Sequence, residues 1–411
     1  MLGTIITVVV IVIGIALSIA LHELGHFLPA KKFGVPATEY FIGFGKTLWS
    51  TKRGETEYGV KLVPMGGYTQ IQGMFPAKPK DHTDKFFKSI IEGAREASQE
   101  GMKPFDESRA FYNLTFGKKI LIMAGGTLTN LVLGALCFMV AFTFIGAQSP
   151  TTTLKTVVQC QSQFSDNTAS NDCSYNDEAP AYKSGMRAGD TVKEVNGQSV
   201  QEWAALQQLI AESNDKELEI TAEREGVDKH FTIEAVEIDG AYKVGISPSL
   251  EPERLSLGGS LGITWQTVTG TAKAILGIPA GMVDAVRSLV TNQERQERNL
   301  VSVVGVGQIA VASEKATDDF AQKVANIFSI LGSLNIALFV LNLIPLLPLD
   351  GGHSANAIYE ALKRLVFRLR KRPRPGAADL ARSQPVAYII YGFLILMFIT
   401  MVLADIFHPL V

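Results

Sequence analysis

The 411-residue sequence predicts a polytopic α-helical membrane protein with about four transmembrane helices and a β-rich domain outside the bilayer. Three observations carry that reading. Four apolar runs reach the roughly 20 residues that a helix needs to cross the hydrocarbon core. Charged residues make up only 19% of the chain, low for a soluble protein. The charges that remain are sharply partitioned among the segments joining the runs, although the net charge is only −2.

The first run, Leu2–Leu21, has no charge. A signal peptide would want a basic stretch before it and a shorter apolar core, so a span fits better. Ile120–Gly146 and Val324–Leu349 are also uncharged, and Pro385–Ala404 is followed directly by Asp405. Asn and Pro residues make the third run the least regular. Residues 351–383 carry 8 Lys+Arg against 2 Asp+Glu, and 27–118 is also net basic. Residues 147–323 carry 15 against 25. Basic short loops stay in the cytoplasm, which predicts a bacterial plasma membrane protein with both termini and the acidic 147–323 segment outside. No nucleic-acid partner is expected.

The division that follows is 1–26 (first span), 27–118 (cytoplasmic), 119–146 (second span) and 147–254 (outside). It continues with 255–323 as an amphipathic or linker region, 324–350 (third span), 351–384 (basic cytoplasmic loop) and 385–405 (fourth span). Residues 255–300 are apolar and rich in Gly and Ala, but Lys273, Asp284 and Arg287 argue against a fifth span. Helices on the membrane surface, or packed beside the outer domain, fit them better. Of the cysteines, Cys137 lies within a span as apolar packing. Cys160 and Cys173 share the outside segment, where an oxidising compartment predicts a disulfide; two unrelated thiols are the alternative.

Residues 179–213, "APAYKSGMRAGDTVKEVNGQSVQEWAALQQLIAES", have a Gly-bounded turn, an alternating strand at Thr191–Val195, an Asn196-Gly197 turn and a helical segment. Two strands around Gly226 follow. With Gly185, Gly189, Asp190, Asn196 and Gly197 in place, about 179–250 resembles a PDZ domain. Such domains bind an extended peptide by adding a strand to a sheet edge.

The chemistry sits in "HELGH". His22 and His26 are four apart, so a helix presents both imidazoles on one face to a single metal, with Glu23 beside them as general base. Ionisable side chains in a membrane helix are functional by default. A catalytic zinc usually has three protein ligands and an open position. His82, His230 and His408 lie away from any span. The third run ends "NLIPLLPLDGGH", which offers Asp350 as the carboxylate ligand and His353 as its rival.

"HELGH" in a first span with "NLIPLLPLDGG" in a third resembles the site-2 protease family of intramembrane zinc metalloproteases, over nearly the whole chain. "GFGKTLWSTKRGETEYGVKLVPMGGY" (43–68) resembles the family's membrane-reentrant β segment and its Gly-Gly loop, here Gly66, Gly67 and Tyr68. "MAGGTLTN" (123–130) resembles its second core helix. The single PDZ module and paired outer cysteines look most like the actinobacterial branch. The resemblance implies one Zn2+ on His22, His26 and Asp350, Glu23 as base, and substrate contacts from Asn342, Pro345, Gly66, Gly67 and Tyr68. It implies single-span membrane proteins such as anti-sigma factors as substrates, a peptide or trimmed substrate end at the PDZ module, and lipid around the spans. Lys46 and Gly126 stand where the family usually has Pro. A metal transporter should show more polar residues within its spans and two related halves, and neither is visible. A PDZ-bearing scaffold with a dead site should have lost one of the four motif residues, and all are present.

Overall fold

The computed structural model describes residues 2–76, 87–99, 106–161, 177–213, 217–238, 241–278, 281–283, 286–287, 303–315, 317, 319–373 and 375–407. The chain opens with α1 (Leu2–Lys32), β1 (Ala37–Arg53), β2 (Thr56–Ile71), α2 (Lys88–Gln99) and α3 (Phe116–Phe138), which continues as a wider π-helical turn over Met139–Ile145. Next come β3 (Ala147–Val157), α4 (Pro180–Lys183), β4 (Thr191–Val195), β5 (Gln198–Ser199), α5 (Trp203–Ala211), β6 (Glu217–Arg224), β7 (Val227–Glu234), β8 (Val236–Ile238), β9 (Ala241–Lys243) and β10 (Ile246–Glu253). The remaining described elements are helices: α6 (Leu257–Leu276), α7 (Val303–Lys315), α8 (Phe320–Asn342), α9 (Asp350–Leu369) and α10 (Gln384–Phe407). The chain divides into two units, residues 1–144 with 255–411, and residues 145–254.

Among the described residues of the first unit, four stretches are long and apolar enough to cross a membrane: Ile5–Lys32, Phe116–Ile145, Phe320–Asn342 and Leu380–Phe407. Many of their large apolar side chains face outward, such as Ile13 at 61% and Ile389 at 71% exposed, as a lipid solvent allows. Side-chain contacts give the helix directions. Asn335 donates to Ser18 Oγ at 2.9 Å, and a Cβ on Gly14 would meet Leu331, so α1 and α8 run parallel. His22 meets Asn130 whereas His26 meets Ile122, so α3 runs antiparallel to α1. Helix α6 packs on α3 and α8, with Val268 buried among Phe138, Ile336, Phe339 and Val340.

Two expected boundaries move. Helix α1 does not stop at His26 but carries on to Lys32 with Pro29 inside it. The third span ends at Asn342, before Pro345 and Pro348, which supply no N–H to a helical ladder. Tight turns such as Ile344 N to Leu341 O take over, and Asp350 opens a new helix instead of closing the apolar one. Most of the expected basic loop is therefore α9. Gly351 and Gly352 are needed there, because a Cβ on either would strike the backbone of the turn at 343–347.

Strands β1 and β2 form an antiparallel pair bent so that four rows lie side by side. Tyr58 pairs with both Thr51 and Tyr40, and Tyr40 pairs in turn with Thr69. The row 67–71 is one of the two outer rows, paired on one side to 37–42.

In the second unit the sheet order is β10-β3-β4-β6-β7, with β5 hydrogen-bonded to β4. Helix α5 packs Leu206 and Ile210 into a core with Leu218, Ile220 and Ile233. Asn196 and Gly197, both at positive φ, make the turn between β4 and β5. Asp190 is wholly buried and accepts bonds from Arg224 Nε at 2.6 Å, Arg224 Nη2 at 2.7 Å and the Arg187 backbone at 2.9 Å. Cys160 is buried and bridges to Glu178; its expected partner Cys173 lies outside the described residues.

Candidate metal centre

Helix α1 presents His22 and His26 on one face, and α9 brings in Asp350 at its first turn. His22 Nε2 lies 3.3 Å from His26 Nε2 and 3.5 Å from Asp350 Oδ2, and the third side of the triangle is 3.2 Å. Three tetrahedral ligands each 2.0–2.1 Å from one ion stand about 3.3–3.4 Å apart. Among the described residues, these three form the one cluster of His, Cys and carboxylate atoms spaced for a metal.

The hydrogen bonds behind the ligands test whether an ion suits them. His26 Nδ1 is 2.7 Å from the Ile122 carbonyl, which only accepts, so Nδ1 carries the proton and Nε2 is left with its lone pair. His22 Nδ1 is 3.1 Å from the Asn130 amide, and Asn130 Oδ1 is buried with no partner. Amide O and N are assigned from the hydrogen-bond network. Turning this amide end for end lets Oδ1 accept the His22 Nδ1 proton and leaves the amide NH2, instead of the oxygen, at the unpartnered position. His22 Nε2 is then also a bare lone pair. Two imidazole lone pairs and a carboxylate oxygen facing one another repel unless a cation sits between them. Second acceptors that fix the tautomer are what metal-bound histidines generally have. Thr127 Oγ1 adds a bond to Asp350 Oδ2 at 3.2 Å. The donor set fits Zn2+.

Beside the ligands is a pocket of about 200 Å³. Glu23, His26 and Asp350 line it with Gly67, Tyr68 and Thr69 of β2, and with Pro348 and His353. The sheet comes this close to α1 because Gly67 has no side chain: a Cβ there would lie 3.3 Å from Glu23 Cγ and 3.0 Å from Ile19. Thr69 Oγ1 donates to the Glu23 carbonyl at 3.3 Å. Tyr68 is braced by its bond to Glu39 and by Lys61 Nζ at 2.8 Å. His353, the rival ligand, stays outside the triangle, its ring centroid 6.3 Å from that of Phe75. Burial pushes its imidazole down to about 4, so it is neutral at ordinary pH.

Of the expected substrate contacts, Gly67 and Tyr68 line the pocket. Gly66, Asn342 and Pro345 are not among its lining residues, and Pro348 is. Gly66, at φ 136°, packs under the Phe44 ring. Asn342 is the last residue of α8. His230 sits on β7, 3.1 Å from Thr221 Oγ1, and His82 and His408 lie outside the described residues. Asn130 went unnamed as a site residue in the sequence, and so did Thr127 and Thr69.

A metal triad beside a glutamate on an apolar helix defines a membrane-embedded metallopeptidase. The profile of peptidase family M50 matches residues 10–373, and the chain belongs to that family. Its relatives include zinc metalloprotease Rip1 of Mycobacterium tuberculosis (strain ATCC 25618 / H37Rv), 28% identical over 98% of each chain. Regulator of sigma-W protease RasP of Bacillus subtilis (strain 168) is 24% identical over 87% of this chain and 90% of its own. Metalloprotease MmpA of Caulobacter vibrioides (strain ATCC 19089 / CIP 103742 / CB 15) is 25% identical over 96% and 95%. The protein is a zinc metalloprotease of the site-2 kind.

Proposed function

We propose that the protein hydrolyses peptide bonds within or near the membrane segment of single-span proteins such as anti-sigma factors. His22, His26 and Asp350 hold the zinc and Glu23 is the base. The converging lone pairs of the triad, next to Glu23 and a sheet edge, carry this reading. That the Bacillus relative is a regulator of sigma-W protease supports a substrate of the anti-sigma kind.

Zinc held there would supply Lewis acidity, lowering the pKa of water towards about 7 and polarising a carbonyl. The carboxylate of Glu23 takes the proton of the attacking water and hands it to the leaving amine nitrogen. Neutral His353 is positioned to donate or accept a hydrogen bond in the same pocket. A helical substrate hides its carbonyls in its own ladder and has to be unwound first. The outer row 67–71, bonded on one side to β1, offers N–H and C=O groups to an extended chain, as in strand addition. Asn342 and Pro345, at the unwound end of α8, complete the substrate path.

The second unit acts as a PDZ module outside the cytoplasm, taking a peptide or trimmed substrate end. Supporting this, β7 is an outer strand of its sheet, and a cavity of about 590 Å³ lined by Lys183, Ser184, Thr232 and Glu234 adjoins it. Cys160 and Cys173 pair there, which thiol labelling of intact cells with and without reductant will show.

The decisive experiment co-expresses the protein with a single-span anti-sigma reporter, intact or with Glu23→Gln. Cleavage is expected only from the intact enzyme, with equal zinc in both. Unchanged turnover in E23Q, or loss of its zinc, overturns the assignment.

A further inference from the structure

Helix α9 carries a second cluster at the far end from Asp350. Residues 361–378 hold seven Lys or Arg and no acidic residue. Arg364 and Arg368 are four apart on the helix and share one side, and Arg372 joins them from just beyond the helix end at Leu369. Together with Phe116, Ala361 and Leu365 they line a cavity of about 550 Å³.

The depth of this cavity is set by Phe116, the first residue of the spanning stretch Phe116–Ile145. Where a span leaves the hydrocarbon, phospholipid headgroups begin. The neighbouring surface of α9 is apolar: Ile358, Leu362, Leu365, Val366 and Leu369 are all exposed. An amphipathic helix of this kind lies in the interface plane.

Among the described residues, no ion pair meets Arg368 or Arg372, and Arg364 meets only Glu360. Glu360, the nearest acid on α9, is taken up by Lys119 Nζ at 2.6 Å and by the Ala378 backbone at 2.8 Å. Its contact with Arg364 Nη2 is long, 3.5 Å, and Arg364 Nε is buried with no acceptor. A guanidinium fork in that condition suits a phosphate, whose oxygens it can engage in pairs.

We propose that this cavity binds the phosphate headgroup of an anionic phospholipid, with the acyl chains running along Phe116 and Leu365. The apolar walls and the exposed stripe select a lipid over a soluble phosphate. A bound lipid would pin the helix whose first residue is the third metal ligand.

The test uses the full-length protein in a neutral detergent, with fluorescent phosphatidylglycerol and fluorescent phosphatidylcholine as probes. R368Q/R372Q removes two forks and leaves the Lys119–Glu360–Arg364 group in place. R370Q/K371Q removes the same charge beside the cavity. The first pair is expected to weaken phosphatidylglycerol binding roughly 10-fold or more, as loss of two charge-assisted bonds implies. The second pair should match the unaltered protein, and inorganic phosphate should not displace the probe. Equal losses from both pairs would mean diffuse attraction, and no loss would mean no site. Displacement by inorganic phosphate would mean a soluble-anion site. Each of these three overturns the proposal. Zinc content and thermal unfolding report whether the variants fold; should R368Q/R372Q misfold, R368K/R372K keeps the charge, loses the fork and is expected to show the same selective weakening.

Discussion

At His22 the metal centre depends on where the ring's other proton goes. With its amide turned, Asn130 Oδ1 accepts it, and the Gly126 backbone is a further hydrogen-bond partner of the ring. Replacing Asn130 with Leu takes the side-chain acceptor away from that ring and loosens its tautomer. Zinc affinity is expected to fall about 10–100-fold, as when other second acceptors of metal histidines are lost. Asn130→Asp keeps an acceptor oxygen and should retain the metal; chelator competition distinguishes the two. The same reasoning explains what could be read beforehand. His22, Glu23 and His26 announce themselves by helical spacing, whereas one Asn in an uncharged run has no period and shows its use only when α3 crosses α1. Asp190 gives a second prediction at this scale. Burial raises its carboxyl, but the Arg224 fork and the Arg187 N–H hold it below the usual carboxylate range. A depressed folded pKa means stability present above the unfolded value of about 3.9 and lost as pH falls through the folded one. The second unit should therefore lose stability on acidification below about pH 4. Arg224→Met, leaving buried acceptors unsatisfied, should cost about 1–3 kcal/mol at neutral pH and flatten that acid limb. Circular dichroism melts between neutral and acid pH check both.

Helices α1 and α3 meet at their glycines, and the ligand geometry is fixed there. A Cβ on Gly25 would lie 2.5 Å from the Gly125 carbonyl oxygen and 2.6 Å from Thr129 Oγ1. Small residues at such crossings let backbones approach within a membrane. Gly25→Ala should force the helices apart at a cost of about 1–3 kcal/mol or more. Because His22 and His26 flank Gly25, zinc retention should fall together with the melting temperature. Gly117→Ala, with nothing within 4 Å of its added Cβ, is the silent control. Hydropathy was enough to find the four spanning runs but misread how they end. An uncharged run says where lipid can be, not where the helical ladder stops; Pro345 and Pro348 decide the latter. Helix α9 read as a basic loop because its charges dominate the composition, although Ile358, Leu362, Leu365 and Leu369 already carry a helical period. The bend that lays β2 in two rows against β1 leaves no mark in a strand pattern.

At the scale of the whole molecule, the second unit is an insertion whose chain enters and leaves at one place. Ala147 pairs with Glu253 across β3 and β10, and on the other side of the junction Leu255 donates to the Phe142 carbonyl at 2.9 Å. The metal ligands, the pocket and the outer row of β2 all belong to residues 1–144 and 255–411. Among the described residues, none in 145–254 contributes a ligand to that set. Chain ends one hydrogen bond apart can be rejoined without moving either helix, which is why insertions of this kind are tolerated. Removing residues 145–254 and closing the gap with a short glycine-rich turn should thus leave zinc bound. It should also leave cleavage of a substrate already trimmed to a short outer tail within a few-fold of the intact enzyme. If the inserted module screens substrates by their outer part, the shortened enzyme should in addition cut the untrimmed substrate, which the intact one refuses. The comparison is run in cells with both substrates, and membrane insertion and zinc content are measured alongside. A well-inserted, zinc-loaded variant that cuts neither substrate would place the second unit inside the catalytic machinery. One that cuts only the trimmed substrate would show that selection lies in the membrane unit itself.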